Sequence, residues 1–164
     1  MALSGNGPLA AIVLAAGKGT RMKSAIPKVL HPACGKPLVA WPVAAVMAAG
    51  ASPVVVVTGH RAELVDAELA GRFGTKVTAV HQTEQKGTGH AAQMALPALE
   101  SFSGTVLIVY GDCPLLSAQS LVGLVEMRAR TGAPVALWTT RVADPAGYGR
   151  IVRGRDGLLE KIVE

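Results

Sequence analysis

Residues 10–22 read Ala-Ala-Ile-Val-Leu-Ala-Ala-Gly-Lys-Gly-Thr-Arg-Met, an apolar run that breaks into glycines and cations. Residues 10–14 have the length and character of a buried strand. In a parallel α/β sheet, ligands sit beyond the carboxyl ends of the strands, which is where this loop falls. Glycines at 17 and 19 let backbone N–H groups approach phosphate oxygens. Arg21 and, further on, Lys28 supply charge, Arg as a two-pronged fork and Lys as a compact point charge. Two common phosphate loops are excluded. Met22 stands where a dinucleotide fingerprint needs its third glycine, and no GxxxxGK[ST] occurs. A glycine turn carrying surface cations is the competing reading of the loop's composition.

Working outward, strand-like runs alternate with helix-like stretches. Helices are expected at 37–49, 62–70, 89–99 (weakened by Pro97) and 118–130, the last with apolar spacing at Leu121, Leu124 and Val125. Strands are expected at 54–58, 76–81 and, as a buried strand, 105–110. After residue 135 the pattern changes to strands at 135–140, 149–153 and 158–163, separated by Gly/Asp turns. Together these predict an α/β, Rossmann-like fold: a mixed, mainly parallel sheet with helices on both faces. One domain over 9–164 is expected after a disordered segment 1–8. The strand pattern that ends at Glu164 leads us to expect that this domain is incomplete at its C-terminal side.

Composition narrows the class. Half of the 164 residues are hydrophobic and 16% are charged, which argues against disorder. No apolar run approaches the ~20 residues a bilayer span needs, and residues 1–8 lack a basic n-region. A cytoplasmic protein with no membrane partner is expected. Cys34 and Cys113 form no CxxC pair and no metal cluster, so both read as free thiols. The sixteen Lys and Arg residues are scattered and aromatics are 4%, so no nucleic-acid surface is expected.

Two further positions invite chemistry. Gln82, before the Gly87-Thr88-Gly89 turn, offers an amide donor and acceptor suited to a pyrimidine edge. Thr88 equally suits a helix N-cap. Asp112 follows the apolar run 106–110. A carboxylate there can hold Mg²⁺ beside substrate phosphates, or can simply start the turn before Pro114. His31, His60, His81 and His90 show no nucleophile or orienting acid beside them and read as structural or peripheral.

Residues 14–22 with Pro27-Lys28-Val29-Leu30-His31 resemble the signature loop of the sugar-1-phosphate nucleotidyltransferases. The Lys28–His31 ending most resembles the N-acetylglucosamine-1-phosphate uridyltransferases, usually the N-terminal half of a bifunctional enzyme. The resemblance continues through Gln82-Thr83-Glu84-Gln85-Lys86-Gly87-Thr88-Gly89-His90, Tyr110-Gly111-Asp112 and Gly147-Tyr148-Gly149-Arg150. These blocks keep the family's order over almost the whole chain.

The resemblance implies transfer of UMP from UTP to N-acetylglucosamine 1-phosphate, with Mg²⁺ as cofactor, for cell-wall precursor synthesis. A phosphate oxygen of the sugar phosphate would attack the α-phosphorus, and pyrophosphate would leave. It implies catalytic roles for Arg21 at the triphosphate and Lys28 at the phosphate under attack, with Asp112 on the metal. Leu14, Ala15, Ala16, Gly17, Lys28, Tyr110, Gly111 and Asp112 would bind substrate. Gln82, Gly87 and Thr88 would contact uracil, and Gly149 and Glu164 the sugar. The sequence departs from the family in its asparagines: the family's sugar- and metal-binding ones have no counterpart, the one Asn being Asn6. The turn before Glu164 is also one residue longer than usual. A trimer is expected only with the family's C-terminal β-helix. Another sugar- or alcohol-phosphate nucleotidyltransferase, disfavoured by 28–31 and 82–90, and a nucleotide-binding fragment without turnover stay open.

Overall fold

β1 (Leu9–Leu14) is apolar along its whole length, so it is stable only where both of its faces are covered. The computed structural model, which describes residues 7–19 and 22–163, places it inside a parallel sheet. β4 (Val54–Thr58) lies on one side and β6 (Thr105–Tyr110) on the other, with β5 (Thr78–His81) beyond β4. The order is β5-β4-β1-β6. Of the segment expected to be disordered, residues 1–6 lie outside the described residues. The Pro8 carbonyl accepts from Thr105 N–H at 2.9 Å.

This order determines where the helices go. The chain steps from β1 to β4 to β5 in one direction, then crosses back past β1 to β6. Crossovers of a single hand therefore put α1 (Ala40–Ala48) and α2 (Ala62–Phe73) on one face and α3 (Thr88–Met94) on the other. α4 (Ala118–Thr131) returns to the α1 face. Side chains alternate accordingly. Leu9, Ala11, Val13, Val54 and Val56 meet Val43, Val46, Val65, Leu121 and Val125, whereas Ala10, Ile12, Val55 and Val57 meet Ala91, Ala95 and Leu99.

Several elements differ from expectation for identifiable reasons. Helix α1 begins at Ala40, not at 37. Pro32–Ala33 (β2) and Lys36–Pro37 (β3) pair as a hairpin across Cys34 and Gly35, both with positive φ. Pro42 thus falls in the first turn of α1, where its missing N–H is no loss. The expected helix 89–99 is α3 followed by a 3-10 turn, Leu96–Leu99, around Pro97.

β6 is not the buried strand expected. It is the sheet edge, and α3 packs over β1 and β4 without covering it. Leu107 and Val109 are buried, but Val106, Ile108 and Tyr110 are 40–55% exposed, the first two lining an apolar hollow of about 850 Å³. Residues 135–140 form no strand. Their β-branched composition favours one, but among the described residues they gain no ladder partner, not even the free edge of β6. β7 (Arg150–Arg153) and β8 (Leu159–Val163) do form, as an antiparallel ribbon apart from the main sheet. Among the described residues, no helix is long and apolar enough to cross a membrane.

Leu121 is fully buried between α4 and the sheet. Leu121→Ala is expected to cost about 2–5 kcal/mol of unfolding free energy in urea titrations. Leu115→Ala, at 96% exposure, should stay within about 0.5 kcal/mol of the parent.

Candidate active site at the carboxyl end of the sheet

The chain reverses direction across the sheet at β1, which opens a crevice beyond the carboxyl ends of β1 and β6. Backbone pairing shapes its floor. Past the end of β1, Ala15 N–H donates to Val57 O at 2.8 Å, and Gly111 N–H donates to Leu14 O at 2.8 Å. Two residues on, Ala16 O accepts from Gln85 Nε2 at 3.1 Å. Leu14, Ala15 and Ala16 are therefore held from both sides, and Gly17 is the first exposed residue.

Two glycines make this closeness possible. A Cβ at Gly59 would stand 2.8 Å from Ala16 O and 2.9 Å from Ala16 Cβ. One at Gly111 would stand 3.0 Å from Leu14 O and 3.1 Å from Ala15 Cβ. Gly19 has φ +59°, and its Cβ would overlap Lys28 Cβ at 2.7 Å, so the returning loop packs against its own beginning.

That return delivers Lys28. Buried Val29 anchors the 3-10 turn Lys28–Leu30, and Val39 N–H donates to Val29 O at 2.9 Å. Lys28 Nζ then reaches across the crevice to Asp112 Oδ2 at 2.5 Å, joining residues 84 apart in sequence. The Cys113 thiol donates to the other Asp112 oxygen at 3.8 Å. Burial first, then the Asp112 charge and hydrogen bond, push the Cys113 thiol above its ordinary value, with Lys28 opposing. It stays protonated at neutral pH and offers no thiolate nucleophile.

A second, polar cleft of about 440 Å³ lies beyond β4 and β5, lined by Lys18, Gly59, His60, Arg61, Gln82 and Gln85 among others. Gln82 is 4% exposed, and its Nε2 donates to Gly87 O at 3.1 Å and lies 3.0 Å from His90 Nδ1. The N-cap of α3 is Gly87, at φ +91°, and Thr88 is the first helical residue. The capping role considered for Thr88 is therefore absent.

The site residues expected from the sequence do not all come together. Leu14, Ala15, Ala16, Gly17, Lys28, Gly111 and Asp112 converge at the ends of β1 and β6, and Gln82, Gly87 and Thr88 gather at the start of α3. Tyr110 pairs with Leu14 through its backbone, while its ring belongs to the exposed face of β6. Gly149 lies in a different cleft, with Trp138, Arg141, Tyr148 and Arg150. Arg21 and Glu164 lie outside the described residues.

The sequence reading missed Gln85, Gly59 and Lys18. Gln85 had a signal in the Gln82–His90 block, as did Gly59 in its position directly after a strand. It also found no acid beside any histidine, yet His81 Nε2 sits 2.7 Å from Asp66 Oδ2, because α2 packs against β5.

The pattern of a "MobA-like NTP transferase domain" matches residues 11–159. The chain belongs to that family. Among its relatives, the "Bifunctional protein GlmU" of Geobacter metallireducens is 51% identical over 158 residues, 96% of this chain and 33% of that protein. The chain thus spans about a third of the length of the curated relatives it matches. A nucleotidyl transferase from Methanothermobacter thermautotroptrophicus has the same fold, with a TM-score of 0.61 and 29% identity over 73% of this chain and 57% of that one. HddC from Yersinia pseudotuberculosis, complexed with GMP-PN, matches at TM-score 0.68 over 94% of this chain and 68% of its own, at 22% identity.

For an NTP transferase, the packing at Gly59 makes a direct prediction. Gly59→Ala forces Ala16 to move, and calorimetry should show NTP affinity falling by about tenfold or more, the scale of a displaced charge-binding loop. Gly71→Ala, in α2 with open space around it, should instead raise unfolding free energy by roughly 0.5–1 kcal/mol.

Proposed function

We propose that this chain carries the uridylyl-transfer site of an enzyme that joins UTP to N-acetylglucosamine 1-phosphate, releasing UDP-N-acetylglucosamine and pyrophosphate. The observation that carries the reading is the meeting of Lys28 and Asp112 across the crevice, beside the glycine-lined exit of β1. It is supported by relatives about half identical over nearly the whole chain. Both substrates are soluble phosphates, so the proposed setting is the cytoplasm.

The residues fit a divalent ion held mainly by substrate. Among the described residues no cluster of three His, Cys, Asp or Glu could cage a metal. Asp112 offers a hard carboxylate, and Mg²⁺ commonly takes one or two carboxylates with phosphate oxygens and water. Bound there, Mg²⁺ would neutralise charge on the triphosphate.

The chain's own groups do the rest. Lys28 places a point charge where the attacked phosphate would lie, and its contact with Asp112 holds Nζ in position. The backbone of Gly17, Lys18 and Gly19 is assigned to the triphosphate, and so is Arg21, which lies outside the described residues. The proposed displacement is direct: the sugar-phosphate oxygen bonds to the α-phosphorus as its bond to pyrophosphate breaks. Catalysis is then positioning and charge neutralisation. Gly149 and Glu164 are assigned to the sugar.

The deciding experiment is pyrophosphate release from UTP and N-acetylglucosamine 1-phosphate, with and without Mg²⁺. Metal-dependent release is expected, falling by about 10²–10³ or more in Lys28→Ala and Asp112→Ala, as when a preorganised charge is removed. Saturable UTP binding without release would reduce the reading to a nucleotide-binding half-site. A folded chain with neither binding nor release would refute it.

A further inference from the structure

We infer that Arg61 is a positioning residue: it latches the exposed arm 22–26 of the glycine-rich loop to the start of α2, and so keeps the path into Lys28 ordered. The inference rests on the proposed role of that loop in binding the triphosphate.

The loop leaves the sheet at Ala16 and returns at Lys28. Residues 22–26 of it are all exposed. Their own hydrogen bonds are local, from Met22 N–H to Gly19 O at 2.9 Å and from Ile26 N–H to Ser24 Oγ at 3.3 Å. Among the described residues, a single hydrogen bond reaches this arm from outside the loop. Arg61 Nη1 donates to the Ala25 carbonyl, across 36 residues of sequence and just ahead of Pro27 and Lys28. Glu63 steadies the guanidinium from another side, with its Oε1 3.8 Å from Arg61 Nε.

The segment 59–61 therefore grips both limbs of the loop. Gly59 packs so closely on Ala16 that no Cβ fits between them, and the His60 N–H donates to Ala16 O at 3.5 Å. Arg61 takes the other limb.

Backbone conformation is a second, independent sign. Arg61 has φ +52° and ψ +46°, the left-handed region that side chains disfavour and glycine accepts. Lys23, in the arm itself, is left-handed as well, at φ +47°. Both halves of the latch are thus strained, and such strain persists where the surroundings over-determine it, as at ligand clamps. A glycine at 61 would form the same turn with less strain and lose only the guanidinium. The side chain is placed to serve the loop rather than the stability of α2. With the latch made, the arm is ordered before a nucleotide arrives. Without it, binding must also bear the entropy of ordering the arm.

The test compares the unaltered chain with Arg61→Gly in stability, proteolysis and kinetics. Relief of strain should raise Tm by about 2 °C. Loss of the latch should speed cleavage after Lys23 by endoproteinase Lys-C roughly three- to tenfold, the scale of one hydrogen bond. KM for UTP, with N-acetylglucosamine 1-phosphate as acceptor, should rise by about the same factor with kcat changed less, or Kd should rise if turnover is absent. Arg61→Asn also tolerates left-handed backbone and is too short to reach Ala25. It should lose the latch in the same way, and it decides the matter if the glycine variant misfolds. A purely structural role would lower Tm and leave KM alone, which would overturn the inference. Cleavage after Lys23 at the parent's rate in both variants would overturn the latch. Faster cleavage with an unchanged KM would overturn the positioning role. A rise in KM that vanishes at high salt would make Arg61 a long-range attractor of phosphate and overturn it too. A parent chain that neither binds nor turns over UTP would overturn the nucleotide reading and the positioning role together, whereas the other adverse outcomes overturn only the role of Arg61.

Discussion

Two peptide hydrogen bonds just beyond β1, from Ala15 N–H to Val57 and from Gly111 N–H to Leu14, govern the architecture of the site. They extend pairing on both sides of the central strand past the point where the chain must turn away. Three backbone segments are drawn together where side chains would ordinarily separate them. Only small residues fit: Ala15 and Ala16 in the turn, Gly59 and Gly111 against it. Asp112 follows immediately after Gly111, so its carboxylate is positioned by the sheet itself rather than by a mobile loop. Gln85 then braces the turn from a third side through the Ala16 carbonyl.

Stability and chemistry occupy separate parts of this framework. The valines of β4 and the apolar face of α4 supply burial, whereas the crevice residues supply little. The Lys28–Asp112 pair is part-exposed, at 42% and 30%, and pairs of this kind contribute on the order of 0–1 kcal/mol. Holding a lysine still costs side-chain entropy of similar size. The contact is better understood as preorganisation, with a positive and a negative group placed before any phosphate arrives. Cys113 completes the arrangement by staying protonated beside the carboxylate.

What could be read from sequence was whatever depends on local pattern. The valine run of β4, the turn at Gly17 and Gly19, and the apolar spacing of Leu121 and Val125 each carry their own signal, and each led to the right element. What could not be read depends on neighbours. An edge strand and a central strand have the same composition, so the exposed face of β6 is invisible until the strand order is known. Residues 135–140 have strand propensity but no ladder, which only tertiary structure decides. The hairpin at Cys34 and Gly35 hides behind two prolines that equally suit a helix start. Within the site, Gln82 was legible as an amide but not as an oriented one. Its NH₂ is held by a carbonyl five residues away and lies beside an imidazole eight residues away, both placed by the turn into α3.

The same segment links the two halves of the nucleotide site. Gln82 faces the proposed base position, and three residues later Gln85 holds the Ala16 carbonyl in the phosphate loop. Gly87, which holds the Gln82 amide, also starts α3, and Ala91 in that helix and Ala95 just after it pack against β1 and β4. A base that does not fit must therefore displace a segment that also braces the loop, or leave a buried amide unpaired. On the proposed reading, recognition of the base and placement of the α-phosphate are not independent events. Displacements well below the length of a bond to Lys28 would already spoil an in-line attack, so a wrong base should be penalised in the chemistry as well as in binding.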